Sequence, residues 1–165
     1  MIKNTKEFTP KEWIQFRDVF LKYFNESSLI GTGKKSNFLE SFMTMAQNKK
    51  CVKTILQMLK EGSKQGFVSL DDAEESISGF LVGSIENGTG AISHFFVDVK
   101  CPMGRRIQSL ELFKAFSKEL AIQGVDQVVA KSDLSDVELN DTLSSLGFEV
   151  LKKDDVSNEY GRNIA

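Results

Sequence analysis

The apolar residues of the first sixty positions recur every three or four residues, a spacing that predicts amphipathic helices. Residues 9–12 (TPKE) combine a capping box with a proline suited to the first helical position, so the first helix is predicted over 10–25. A second helix is predicted to start at Ser36, and a third to end at Gly62. The polar stretch 26–35 is predicted to be a loop.

After this helical part, the pattern changes to short runs of β-branched and aromatic residues, which predict strands. The predicted strands cover 66–70, 76–85, 91–99, 127–131 and 147–151, with a last strand near Tyr160. The first two are separated by an Asp-Asp turn, and Asn87-Gly88 signals a hairpin before the third. A central helix follows the third strand, with an apolar stripe formed by Ile107, Leu110, Phe113, Phe116 and Leu120. A shorter helix is predicted over 136–146.

This order of elements predicts an α/β (α+β) architecture. We expect a mixed, mostly antiparallel central sheet with helices on both faces and extra helices at the N-terminus. At 165 residues the chain is expected to form a single domain, mainly helical over 1–64, with the sheet in 65–165. Strands 91–99 and 127–131 are expected to be parallel neighbours whose C-terminal ends diverge into a ligand-binding gap.

The stretch 100–106, between the third strand and the central helix, is the clearest candidate for a binding site. A strand that feeds a helix through a tight turn directs the first backbone N–H groups of the helix into one small space, which attracts an anion. Arg105 and Arg106 add two guanidinium groups that suit a phosphate. The alternative is that both are solvated charges on a surface helix.

The composition argues against nucleic acid and membranes as partners of the chain. The formal net charge of -2 argues against bulk attraction to nucleic acid or to an anionic membrane. No apolar run approaches the ~20 residues of a membrane span, and the N-terminus lacks the apolar segment of a signal peptide. Cys51 and Cys101 show no metal or redox spacing. Reduced thiols, and therefore a cytoplasmic location, are expected.

Three successive segments together resemble the GNAT acyltransferase superfamily: ESISGFLVGSIENGTGAISHFFVDV at 75–99, the turn and helix after it, and SSLGFEV at 144–150. The resemblance covers about 66–165 and implies a GNAT-like fold with the preceding helices as an elaboration. It also implies acetyl-coenzyme A as cofactor, with the pyrophosphate held at the turn. The residues that it assigns to the cofactor are Val97, Val99, Met103, Gly104, Arg105, Arg106 and Ile107.

The chain departs from the Q/R-x-x-G-x-G/A motif of that family. One register places Pro102, Arg105 and Ile107 on the three defining positions, and the other places Cys101, Gly104 and Arg106 there. Neither register reproduces the motif. The missing glycines matter because they let a phosphate approach the backbone without meeting a Cβ.

Acyl transfer to an amine needs a base for the amine proton, a donor for the oxyanion and an acid for the leaving thiolate. The resemblance places the base on the central strand, where His94 is the first candidate and Asp98 the second. The alternative for His94 is a hydrogen-bonded histidine in the core. Leu143 replaces the tyrosine that usually acts as acid, which leaves Tyr160 as the late phenol.

Two functions follow as hypotheses. The first is an acetyl-coenzyme-A-dependent N-acetyltransferase acting on an amine, with a cationic acceptor favoured by the acidic chain. The second is a GNAT-like domain that has lost catalysis and serves as a structural or interaction protein, for example in a bacteriophage virion. The partner would then be a protein, and a homo-oligomer or a larger assembly is possible in either case.

Overall fold

The computed structural model describes residues 1–30, 38–71, 76–99 and 101–164. In these ranges the α-helices and strands are, in chain order, β1 (Ile2–Asn4), α1 (Pro10–Ile30), α2 (Phe38–Glu61), β2 (Gln65–Asp71), β3 (Ser76–Glu86), β4 (Thr89–Val97), α3 (Pro102–Ile122), β5 (Gln127–Asp133), α4 (Val137–Ser145), β6 (Glu149–Lys153) and β7 (Ser157–Asn163). A 3-10 turn, Thr5–Glu7, lies between β1 and α1.

The seven strands of the described ranges belong to one sheet, in the order β1-β2-β3-β4-β5-β7-β6. Among these described strands, the neighbours β4 and β5 run parallel and are connected by α3, whereas the other neighbouring pairs are antiparallel. The predicted mixed, mostly antiparallel sheet is therefore confirmed. The parallel pair lies near the middle of the sheet, with antiparallel strands on both sides of it.

Helices cover both faces of the sheet, as predicted. On one face, α1 and α2 pack over an apolar cluster that includes Phe16 and Phe20 of α1 and Phe80 of β3. On the other, α3 and α4 pack over a cluster that includes Phe116 of α3 and Leu143 of α4. The burial of apolar surface in these two layers supplies the main driving force for folding.

The hairpin from β3 to β4 forms at the predicted turn. Asn87 and Gly88 both have positive φ, 51° and 77°, and Glu86 pairs with Thr89. Two consecutive residues with positive φ make a turn whose twist matches that of the flanking strands, and asparagine followed by glycine adopts it with the least strain.

A β-bulge at Ser93 changes which residues of β4 share a face. Val82 pairs with His94 and Gly83 pairs with Ile92, so no residue of β3 lies opposite Ser93 in the register. Ile92 and Phe95 consequently point into the same cluster under α3, although they are three residues apart. After the bulge, His94 and Phe96 face the α1 side.

The N-terminal part differs from the prediction in three ways. Helix α1 extends to Ile30, past the predicted end at residue 25. The predicted second and third helices are one helix, α2, because no glycine or proline interrupts it and the buried Asn48 amide is hydrogen-bonded to α1. Residues 2–4 form a strand that was not predicted. The rest of the predicted loop, Ser36 and the second aspartate of the Asp-Asp turn lie outside the described residues.

Two local predictions for this part are confirmed. The capping box forms at α1, since the Thr9 hydroxyl accepts from the Glu12 N–H at 3.3 Å and the Glu12 carboxylate accepts from the Thr9 N–H at 2.9 Å. Gly62 follows α2 with a φ of 85° and ends the helix.

Helix α3 begins at Pro102, so most of the predicted turn 100–106 is its first turn. The buried face also differs from the predicted stripe. Ile107 and Leu110 are 54% and 39% exposed, whereas Ser109 and Leu112 are buried. The prediction assumed that the apolar residues face the sheet, but near the start of this helix the polar residue Ser109 faces it instead.

Candidate active site

The parallel strands β4 and β5 separate before either of them ends. Their pairing covers only Gly90–Ile92 against Val128–Ala130. Strand β4 continues to Val97 and β5 to Asp133, and both line a cavity of about 340 Å³ beyond the paired segment. The expected gap at the C-terminal ends of these strands is therefore present, in the place where parallel sheets usually bind ligands.

The walls of this cavity come from five elements and from the turn before α4. The lining residues are Tyr23 and Glu26 of α1, Phe95, Phe96 and Val97 of β4, Arg105 and Ser109 of α3, Asp133 of β5, Ser135 and Asp136 of the turn, and Glu138, Leu139 and Thr142 of α4. Apolar side chains, mostly from β4, are thus combined with a larger number of polar ones, which include four carboxylates and the Arg105 guanidinium.

Backbone groups of β4 face this gap. The Asp98 N–H donates to the Ser78 carbonyl at 2.7 Å, so the peptide groups of Asp98 point toward β3. Because this direction alternates along an antiparallel pair, the N–H and C=O groups of Phe95 and Val97 point away from β3, where β5 no longer pairs. They are therefore available to hydrogen-bond a ligand that lies in the gap.

The start of α3 offers backbone donors close to the same cavity. Cys101 is the N-cap, and the first intrahelical bond runs from the Arg105 N–H to the Cys101 carbonyl at 2.9 Å. The backbone N–H groups of Gly104 and Met103 stabilise the thiolate form of the exposed Cys101 by hydrogen bonding and so lower its pKa. Gly104 also leaves room for Val99, because a Cβ there would lie 3.0 Å from Val99 Cγ1.

The two arginines of α3 have different surroundings. Arg105 lines the cavity with its side chain 26% exposed, and its Nη1 lies 3.5 Å from Glu138 Oε1 across the gap on α4. Arg106 is exposed and does not line the cavity. Of the cofactor residues that the resemblance implied, Arg105 and Val97 reach the cavity. Met103 and Ile107 are 71% and 54% exposed and lie outside it.

Ser109 lies one helical turn after Arg105 and is 1% exposed. It lines the cavity, and its Oγ has no hydrogen-bond partner within the described part of the chain. The next core residues of the helix, Leu112 and Phe113, continue its face toward the sheet. Ser109 thus places a hydroxyl where the apolar face of α3 meets the gap.

The opposite wall, from α1, is aromatic and acidic. The rings of Tyr23 and Phe96 lie 4.9 Å apart with an interplanar angle of 38°. Glu26, one turn after Tyr23, is exposed and is 3.9 Å from Lys22. Aromatic faces beside a carboxylate suit a cationic group, because both attract positive charge.

His94 lies away from this cavity, among the aromatic residues under α1. Its ring is 5.2 Å from those of Phe20 and Phe24, and within the described ranges its buried Nδ1 has no hydrogen-bond partner. Burial, and to a smaller extent the charge of Lys64, lower the pKa of His94 from 6.5 to about 4. The imidazole is therefore neutral at physiological pH.

The other two predicted catalytic residues also lie outside the cavity lining. Tyr160 is 3% exposed, and its hydroxyl donates to Asn140 Oδ1 at 2.7 Å, which ties β7 to α4. Asp98 is exposed at the end of β4. The structure does not bring His94, Asp98 and Tyr160 together.

Sequence reasoning missed most of the cavity. Tyr23 belongs to a helix whose apolar residues were interpreted as packing, Glu26 was placed in the predicted loop 26–35, and no local motif links either residue to β4. Ser109 had a usable signal, since it lies one turn before Phe113 on the apolar face of α3. A polar residue at such a position indicates either a hydrogen bond in the core or contact with a ligand.

Within residues 1–30, 38–71, 76–99 and 101–164, none of the helices is long and apolar enough to span a bilayer. No three or more His, Cys, Asp or Glu residues there are grouped so that they could hold a metal ion.

Comparison with known proteins shows that the fold is that of the GNAT acetyltransferases. A structure of an aminoglycoside 6'-acetyltransferase type Ii is similar with a TM-score of 0.72 and 14% identity, over 100% of this chain and 97% of the other. The PaiA N-acetyltransferase from Thermoplasma acidophilum, in complex with coenzyme A, is similar with a TM-score of 0.73 and 10% identity over 99% of both chains. A GNAT-family acetyltransferase from Staphylococcus aureus Mu50 is similar with a TM-score of 0.70 and 14% identity over 100% of both chains.

These likenesses support the fold in the N-terminal helices as well as in the sheet of the described ranges. At 10–14% identity they do not carry the activity or the substrate of any relative to this protein. No family model and no curated protein sequence matches the chain. Nothing in the similarities supports a bacteriophage origin or a place in a virion.

Proposed function

We propose that this protein is an N-acetyltransferase that transfers an acetyl group from acetyl-coenzyme A to an amine. The observation that carries the proposal is the gap between β4 and β5, with peptide groups of Phe95 and Val97 directed into it beside the start of α3. The shared fold, and the coenzyme A bound to one of the similar structures, support the same assignment.

The residues around the gap fit the chemistry of coenzyme A. The molecule has an anionic end with phosphates and a neutral arm with amides. Arg105 lines the gap near the start of α3, where its guanidinium and the positive end of the helix both suit an anion, so the phosphates are proposed to bind there. Arg106 is exposed one residue further and is proposed as a second, weaker contact.

The neutral arm is proposed to lie along β4. An extended chain with amide groups can hydrogen-bond the peptide groups of Phe95 and Val97 much as a neighbouring strand would. When bound, acetyl-coenzyme A supplies a thioester that is activated for attack by an amine. An N–H group of β4 is the proposed donor to the thioester carbonyl oxygen, where it stabilises the negative charge that develops.

The acceptor amine is proposed to bind against α1. An ammonium group there meets the rings of Tyr23 and Phe96 and the carboxylate of Glu26. Glu26 is proposed to draw the proton from the amine, directly or through water, because it is the carboxylate on this wall. The phosphates and the amine would then approach from opposite walls of the cavity.

Glu26 replaces His94 as our proposed base because of its position. A base must lie within hydrogen-bond reach of the amine, or of a water beside the amine. His94 packs against the rings of Phe20 and Phe24 and does not line the cavity, whereas Glu26 does. We therefore expect His94→Gln to keep most of the activity and Glu26→Gln to lose at least ~10-fold in turnover.

The experiment that tests the function is a pair of assays on the purified protein. Binding is measured as the shift of the thermal midpoint with coenzyme A, since a ligand at about 100 times its Kd adds about 2.7 kcal/mol of stability. Turnover is measured as release of the free thiol from acetyl-coenzyme A in the presence of a panel of amines. No shift with millimolar coenzyme A contradicts the proposal. Binding without turnover for any amine favours the catalytically inactive domain instead.

A further inference from the structure

We propose that the hydroxyl of Ser109 hydrogen-bonds a carbonyl oxygen of the amide-and-thioester arm of the acyl donor, a role that rests on the proposed function. Ser109 lines the same cavity as Arg105 and the β4 residues Phe95 and Val97. It would hold the arm from the α3 side, opposite the peptide groups of β4.

The first support is the state of the hydroxyl. Ser109 is 1% exposed, and its Oγ lacks a hydrogen-bond partner within the ranges that the structure describes. A buried helical serine usually bonds the carbonyl four residues earlier, and a buried hydroxyl without a partner destabilises the folded chain. A ligand carbonyl in the cavity would provide the missing partner.

The second support is the position of Ser109 along α3. Arg105 and Ser109 are four residues apart, so they lie on the same side of the helix and about 6 Å apart along its axis. With the phosphates at Arg105, the part of the donor that passes Ser109 is the arm. Amide and thioester carbonyls are the acceptors that this arm offers to a hydroxyl donor.

Ser117 on the same helix supplies a matched control. Its Oγ is also buried without a hydrogen-bond partner in the described ranges, but Ser117 does not line the cavity. It lies eight residues after Ser109, about 12 Å along the helix axis. Removing either hydroxyl relieves the same unfavourable burial, and only one of the two changes should affect the ligand.

The test compares wild type, Ser109→Ala and Ser117→Ala by isothermal titration with coenzyme A and with acetyl-coenzyme A, and by thermal unfolding without ligand. We expect both variants to have an unchanged or higher thermal midpoint, because each loses an unpartnered buried hydroxyl. We expect Ser109→Ala to bind both probes about tenfold more weakly, and Ser117→Ala to bind them like wild type.

The outcomes separate the two proposals. If wild type binds coenzyme A and Ser109→Ala binds it equally well, the role of Ser109 is overturned while the proposed function stands. Equal weakening in both variants also overturns it, since the effect would then come from α3 as a whole. If wild type does not bind coenzyme A, the proposed function and the role of Ser109 are both overturned.

Discussion

The face of strand β4 that lies under α1 and the edge of β4 that is directed toward β5 have different surroundings. On the α1 side, His94 lies against the rings of Phe20 and Phe24 in a tightly packed aromatic cluster. Toward β5, the peptide groups of Phe95 and Val97 face a cavity that also contains Arg105 and Ser109. Histidine, the residue type most often used for acid–base catalysis, thus lies in the packed cluster. The candidate site instead consists of backbone groups and polar side chains.

This contrast has a physical origin in the sheet. Around Phe16, Phe20 and Phe80, helix α1 packs closely against the sheet, and burial beside this cluster lowers the pKa of the His94 imidazole. On the edge toward β5, the pairing is interrupted where β4 and β5 separate, which leaves peptide groups without a neighbouring strand. We therefore expect substitutions in the packed cluster to change stability and substitutions at the gap, including those of Tyr23 and Glu26 on α1, to change ligand binding.

The largest expected effect is on stability, from Phe20→Ala. Phe20 is fully buried and contacts Phe16, Phe24 and Phe80 with ring centroids 4.8–5.4 Å apart. Removing its ring leaves a cavity and should lower the free energy of unfolding by about 3–5 kcal/mol, measured by urea denaturation. Leu151→Ala, on exposed β6, is the control and should cost far less. A Phe20→Ala cost below about 1 kcal/mol would contradict the packed cluster.

The next effect is a pH dependence caused by His94. Since its pKa in the folded chain, about 4, lies below 6.5, the neutral form is favoured by folding. The resulting stability is fully present above pH 6.5 and is lost as the pH falls through 4, a total of about 3 kcal/mol. His94→Gln should remove this part of the pH dependence. His94 is the single histidine of the chain, so NMR can titrate it directly, and a pKa near 6.5 would contradict its burial.

The third prediction concerns the gap and compares the loss of coenzyme A affinity on replacing each of two adjacent arginines. Arg105→Ala should weaken coenzyme A binding by about 10- to 100-fold, because a charge-assisted hydrogen bond contributes about 1.5–3 kcal/mol. Arg106→Ala should weaken it less, since Arg106 does not line the cavity. Stability should hardly change in either variant. A larger effect from Arg106 would place the phosphates outside the gap.

The smallest effect expected is from Asp136→Ala at the edge of the cavity. The Asp136 carboxylate caps α4 by accepting from the Leu139 N–H at 3.1 Å, so its loss should cost about 1 kcal/mol of stability. Coenzyme A affinity should stay equal or rise, because an anionic group leaves the site of an anionic ligand. The exposed Asp141 on the same helix is the control. A fall in affinity would indicate that Asp136 contacts the ligand.

Much of the fold could be predicted from local pattern alone. The capping box at residues 9–12, the Asn87-Gly88 turn and the change of period after residue 62 each depend on neighbouring residues, and each matches the structure. Strand β1 could not be predicted, since its three residues are held in place by distant partners: they pair with β2, and Lys3 forms an ion pair with Glu12 of α1. The continuity of α2 depends in part on a contact between Asn48 and α1, which is also not local.

The candidate site was harder to predict because its parts are far apart in the chain. Residue type pointed to His94, but the bulge at Ser93 and the packing of α1 decide where its side chain lies. Apolar spacing placed Ile107 on the buried face of α3, whereas the structure places Ser109 there. Glu26 enters the cavity only because α1 extends beyond its predicted end.

The central claim is that the gap between β4 and β5 binds the donor. The most direct measurement is NMR mapping of backbone amides during titration with coenzyme A. We predict that the amide signals of Phe95, Val97 and Arg105 shift in a saturable way, while those of Phe16 and Phe20 under α1 stay in place. Saturable shifts confined to the α1 side, or none at millimolar coenzyme A, would contradict the account.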